Sequence, residues 1–129
     1  MVPLDFELAV RADGVHEAAR SLVAVCEAGL RGLMAQDNPS LEISKLVLKA
    51  KLRVYYAILQ SDKGKARDAL RDFSEKSSDF LDAIMESDVH LVLAGSDPYS
   101  GSKSDENVRQ AAAAMQRSYD CMEYMMQRL

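Results

Sequence analysis

From residue 14 onward, apolar residues recur at three- and four-residue spacing, and little in the chain interrupts them. Val15, Ala18, Ala19, Leu22, Val23, Val25, Cys26, Leu30 and Leu33 share one broad face of a first helix. With three Pro and six Gly in 129 residues, turn residues are too few for a β-sandwich. The length suits one domain spanning 1–129 with a real hydrophobic core.

Turn chemistry divides the helical run. Asp13 is placed to cap the first helix, and "DNPS" ends it, with Asn38 and Pro39 able to open a second helix over about 39–60. "SDKG" makes a turn or kink, and a third helix starts near Lys63 with Ala66, Ala69, Leu70, Phe73, Phe80, Leu81 and Ile84 on its core stripe. Asp88 falls on that same stripe, which predicts a break near residues 86–95 and a separate short element in "VHLVLAG". Gly, Ser, Asp and Pro mark residues 96–104 as a flexible loop, after which Ser104 or Asp105 caps a last helix reaching the C-terminus. Phe6, Leu8 and Val10 alternate with Glu7 and Ala9, so residues 1–12 read as an N-terminal arm or a helical extension, with a strand as the other option. Short connections between amphipathic helices favour antiparallel neighbours. The expected fold is all-α, a four-helix bundle with up-down-up-down order.

The second helix carries two apolar stripes. Ile43, Leu46, Val47, Ala50, Val54, Ala57 and Ile58 form the first. Leu48, Leu52, Tyr55 and Leu59 form the second, centred more than a right angle away at about 100° per residue. Ser44 and Lys51 separate the stripes on one side, and Lys45, Lys49 and Arg53 hold the other. A bundle helix needs one buried stripe, so the second requires a cover. The candidates are the chain's own arm or "VHLVLAG", a second copy, or a partner protein. Buried, each of the four side chains contributes roughly 1.5–3 kcal/mol before ordering costs. Exposed, they would be an aggregation liability.

The tail "MQRSYDCMEYMMQRL" puts Met115, Tyr119, Met122, Met126 and Leu129 on one face, which fits burial without help. Met125, Cys121 and Ser118 extend this face on one side and Tyr124 lies further round; because Met also serves adaptable binding surfaces, Tyr124 and Met125 form a possible second surface.

Charge is patterned along the chain. Residues 41–76 hold nine basic and five acidic side chains, against seven basic and fifteen acidic in the remainder. Asp68, Asp72, Glu75, Asp79, Asp82 and Glu86 form an acidic ridge on the third helix, which reads as a solvated face or as a dock for a basic partner. On a second copy, Lys45, Lys49 and Arg53 could pair with it. A net charge of −4 argues against nucleic-acid binding, which needs a cationic surface to displace counterions. The ridge also allows a nucleic-acid mimic.

No HExxH, ExxH pair, Walker loop, GxGxxG or GxSxG is present, so no cofactor or metal is expected and no catalytic residue stands out. Cys26 and Cys121 lie among apolar residues as reduced small hydrophobes, with a disulfide open if the first and last helices touch. Asp5 and Glu7 leave the first residues without the basic stretch of a signal peptide, and no uncharged run reaches membrane-spanning length. The expected compartment is the cytoplasm.

One segment bears on phosphoryl chemistry. In "VHEAARSL", His16 sits at the edge of the first helix's apolar face with Arg20 one turn later. This resembles the histidine phosphotransfer domains, themselves four-helix bundles, which implies His16 as phosphoacceptor. Their motif has Lys then Gly starting three residues after the His, where this chain has Ala19 and Arg20. His90 reads as a packing residue. The reading that uses most of the sequence is a non-catalytic protein-binding module: an adaptor, a small chaperone or an inhibitor-type partner. Leu48, Leu52, Tyr55 and Leu59 would form its contact and Lys45, Lys49 and Arg53 its rim, with a protein partner or a second copy as ligand and a homo-oligomer as the expected state.

Overall fold

The computed structural model describes residues 14–36, 41–93 and 100–129, with side chains described over 14–36, 41–83 and 108–129. The described residues form four helices: α1 (Val15–Met34), α2 (Glu42–Leu59), α3 (Lys63–Leu93) and α4 (Ser100–Gln127). No strand occurs among them, so the chain is all-α as its periodicity requires. The N-terminal arm expected over 1–12 lies outside the described residues.

Two helices are long and two are short. At 1.5 Å per residue α1 and α2 are about 30 and 27 Å long, whereas α3 and α4 are about 46 and 42 Å. The α3–α4 pair therefore outlasts the α1–α2 pair at one end.

The α2–α3 junction is a single compact turn. The Asp62 N–H donates to the Ala57 carbonyl at 3.0 Å and the Ser61 N–H to the Ile58 carbonyl at 2.9 Å. These two bonds are a Schellman motif, and Ser61 takes its left-handed position at φ 55. Asp62 then accepts the Lys65 N–H on Oδ1 at 3.0 Å, capping α3. Adjacent residues thus end one helix and start the next, which fixes α3 beside α2.

Two boundaries differ from expectation. α3 runs unbroken through Met85–Asp88 to Leu93, so the stretch expected as a separate element continues the helix as far as that residue. An internal Asp costs only about 0.7 kcal/mol of propensity, less than starting a new helix. α4 begins at Ser100, before the Ser104 or Asp105 cap, so residues 100–104 of the expected loop are helical. Propagating an existing helix through Ser and Gly costs at most about 1 kcal/mol per residue.

α2 is the central helix. It packs against α1 on one side and α3 on the other, and also touches α4. Contacts run in opposite order along α1 and α2: His16 meets Ser61 near one end, and Gly29 approaches Leu48 near the other. The core joins Leu22 and Cys26 of α1, Val54, Tyr55 and Ile58 of α2, Leu70 and Phe73 of α3, and Cys121, Met122 and Met125 of α4. Both cysteines are buried, and no disulfide joins them.

Candidate functional site

The two stripes of α2 are parts of one buried arc. Tyr55 is 0% exposed and Leu52 6%, both inside the core of this chain, while Leu48 and Leu59 are half-buried against it. The expectation that Leu52 and Tyr55 form an exposed partner contact is therefore corrected. Tyr55 has no surface left to offer. The physical reason lies in the separators. Lys51, between the stripes, is half-buried and its Nζ reaches the Ser118 Oγ of α4 at 3.4 Å, passing 5.9 Å from the Tyr55 ring centroid. A lysine can bury its aliphatic stem while its head stays at a polar edge. Roughly 220° of α2 is thereby enclosed, at about 100° per residue. Leu46, expected on the core face, rolls outward instead and is 40% exposed. Val25 of α1 is likewise exposed rather than in the core.

The cations expected at the rim are occupied differently. The Arg53 guanidinium donates to Asp72 of α3 at 2.8 Å, and Lys76 lies 3.7 Å from the same carboxylate. Lys45 pairs with Glu42 at 3.0 Å, one turn back on its own helix, and Lys49 is exposed. The acidic ridge is thus interrupted: Asp72 turns to α2, while Asp68, Glu75, Asp79 and Asp82 stay exposed. On the opposite flank the Tyr56 hydroxyl donates to Glu27 of α1, which raises the Tyr56 phenol above its ordinary value of 10.0 because the carboxylate holds the proton on the ring oxygen.

The tail resolves into core. Met122 and Met125 are fully buried and Met126 nearly so, which corrects the placement of Met125 on a second surface. Tyr124 is half-buried, with the Arg128 guanidinium 4.6 Å from its ring centroid.

An apolar opening lies beside the buried arc of α2. A groove of about 320 Å³ lies where α1 ends and α2 begins, against the middle of α3 and α4. Leu33, Val47, Leu48, Phe80 and Met115 line it, and none of these is fully buried. Ser44, Lys51 and Ser118 supply its polar groups. The groove follows from the length mismatch. α1 and α2 stop near Leu33 and Ser44, so Phe80 and Met115 on the longer helices lie at the edge of the cover those two helices give. Only Leu48 of this set stood out as a site residue in the sequence. Phe80 and Met115 read as ordinary core positions, and the signal that could have found them is the unequal length of the helices.

His16 is exposed on the first turn of α1, its Nε2 hydrogen-bonded to the Ser61 Oγ at 2.5 Å. The bond ties α1 to the α2–α3 turn and engages one of the two ring nitrogens. Arg20 is also exposed. Among the described residues no group of three or more His, Cys, Asp or Glu is arranged to hold a metal ion, and no helix is long and apolar enough to cross a membrane.

The chain matches no family model, no curated protein and no solved structure.

Proposed function

We propose that this chain is a non-catalytic protein-binding module of the adaptor, small-chaperone or inhibitor type, and that it takes an apolar side chain of its partner into the groove around Leu48. The observation that carries this reading is the groove's composition: two leucines, a valine, two phenylalanines, an alanine and a methionine converge from four helices, and half-buried Lys51 stands among them. Apolar anchors in a pocket supply interface affinity, and a charged group beside them orients the ligand. Met115 adds the adaptability of an unbranched side chain. The fitting ligand is a segment with one or two bulky apolar residues and a nearby carboxylate for Lys51. A second copy of the chain could supply such a segment, which is how a homo-oligomer would arise.

Selection of random peptides displayed on phage against the full chain tests this reading. Enrichment of peptides sharing a bulky apolar anchor, weakened roughly tenfold or more by Leu48→Glu in a variant that keeps its helical circular dichroism, is the expected result. Enriched anchors that bind the variant equally well would place the interface elsewhere. A selection yielding no specific peptide would count against a protein-binding role altogether.

A further inference from the structure

We infer that the long groove between α3 and α4 is a second docking site, and that its ligand is an acidic segment of a partner protein. The inference rests on the protein-binding reading but not on the groove around Leu48.

One end of the α3–α4 groove is a basic cleft of about 310 Å³. Lys63, Arg67 and Arg71 line it from α3, and Tyr119, Glu123 and Gln127 face them from α4. The three cations stand four residues apart, so they form one row about 12 Å long on α3. Glu123 is the single carboxylate among the lining residues. Leu70 and Met126, both almost fully buried, make an apolar floor.

These cations differ in their pairing from Lys45, Arg53 and Lys76. Lys45, Arg53 and Lys76 each have a carboxylate within ion-pair distance. Among the described residues, Lys63, Arg67 and Arg71 have none. An excess of unpaired cations over an apolar floor, in a chain of net charge −4, is a local field that selects an anionic ligand.

A second observation points along the same groove. Beyond Tyr119 it continues as a cleft of about 240 Å³ lined by Phe73, Ser74, Ser77, Leu81, Ala112 and Met115. Ser77 is 7% exposed, and its Oγ has no hydrogen-bond partner among the described residues. An unsatisfied buried hydroxyl costs on the order of 1–3 kcal/mol, so a ligand group that reaches it as the cleft's side chains part gains an interaction the free chain lacks. Tyr119 lines both clefts and joins them. From Lys63 to Leu81 the groove extends about 27 Å along α3. A small anion fills only its basic end. A peptide segment covers its length, with carboxylates on the cationic row, an apolar residue over Leu70 and Met126, and a backbone or side-chain polar atom on Ser77.

The test is a phage-displayed random-peptide selection on the full chain, followed by fluorescence anisotropy of the enriched peptides. A class rich in Asp and Glu is expected beside the apolar-anchor class. Its binding should weaken at least about tenfold in Arg67→Glu/Arg71→Glu, whose two sites are exposed and whose helicity should be unchanged. Ser77→Ala removes a hydroxyl that bonds nothing in the described fold, so stability should hold while affinity for the acidic class falls about two- to tenfold. Raising the salt from 50 to 500 mM should weaken the acidic class and spare the apolar one.

Recovery of the apolar class alone would overturn this inference and leave the protein-binding reading standing. No specific peptide of either class would remove both. Acidic peptides that bind the double variant as well as the native chain would also overturn it. So would inorganic phosphate shifting the Arg67 and Arg71 amide resonances while no acidic peptide binds, which would mark a small-anion site.

Discussion

Replacing Leu52 and Tyr55 together with glutamate is expected to give an unfolded chain, not a folded monomer with an altered surface. Tyr55 is completely enclosed and Leu52 nearly so, at the point where α2 meets its neighbours. Truncating a buried leucine costs about 2–5 kcal/mol and a large aromatic about 3–5 kcal/mol. Glutamate adds the expense of placing a carboxyl where nothing receives it. The sum exceeds much of the 5–15 kcal/mol, roughly, that holds a domain of this size together. Far-ultraviolet circular dichroism and size-exclusion volume at 25 °C read the outcome. A helical, compact product would mean that the second stripe of α2 lies on the surface.

Met125→Ala is expected to destabilise the chain by about 2–5 kcal/mol, seen as a lower urea midpoint at nearly unchanged slope. Met125 is fully buried, one turn along α4 from Met122 and Cys121, which are buried with it. The adaptability of methionine permits some collapse around the lost atoms, which favours the lower half of that range. Tyr124→Ala on the neighbouring position provides the contrast. Its ring is half-buried and faces Arg128, so its removal should cost clearly less. Equal effects at the two positions would contradict the placement of Met125 inside the bundle.

Much of this architecture was legible in the residues. Four helices, the short "SDKG" turn and the burial of the Met-rich face all follow from spacing, because a 3.6-residue period leaves each helix a continuous apolar side. What escaped was the roll of α2. Lys51 and Ser44 divide its apolar residues into two stripes on a helical wheel, and a lysine reads as an outward residue. In the folded chain Lys51 reaches across the buried arc to Ser118, a partner 67 positions away that spacing cannot reveal. Leu46 is the other side of the same error, assigned inward by its period and turned outward by the roll. The pairing of Arg53 with Asp72 is hidden for a related reason: the ridge and the basic row each run along one helix, and the bond crosses between two. The groove around Leu48 depends on where helices end, and end positions are what local sequence defines least.

α2 as the centre of the bundle, with both its stripes enclosed, is most directly tested by native-state hydrogen exchange. The helix that packs against both α1 and α3 and also touches α4 should open only with global unfolding. Amides of residues 50–58 are expected to be among the slowest in the chain, with exchange free energies equal to the global stability from denaturant melts. α1, which lies mainly on α2, should exchange faster. If residues 50–58 exchange as fast as α1, through openings well below the global value, α2 is not the centre and its second stripe needs a cover from outside the chain.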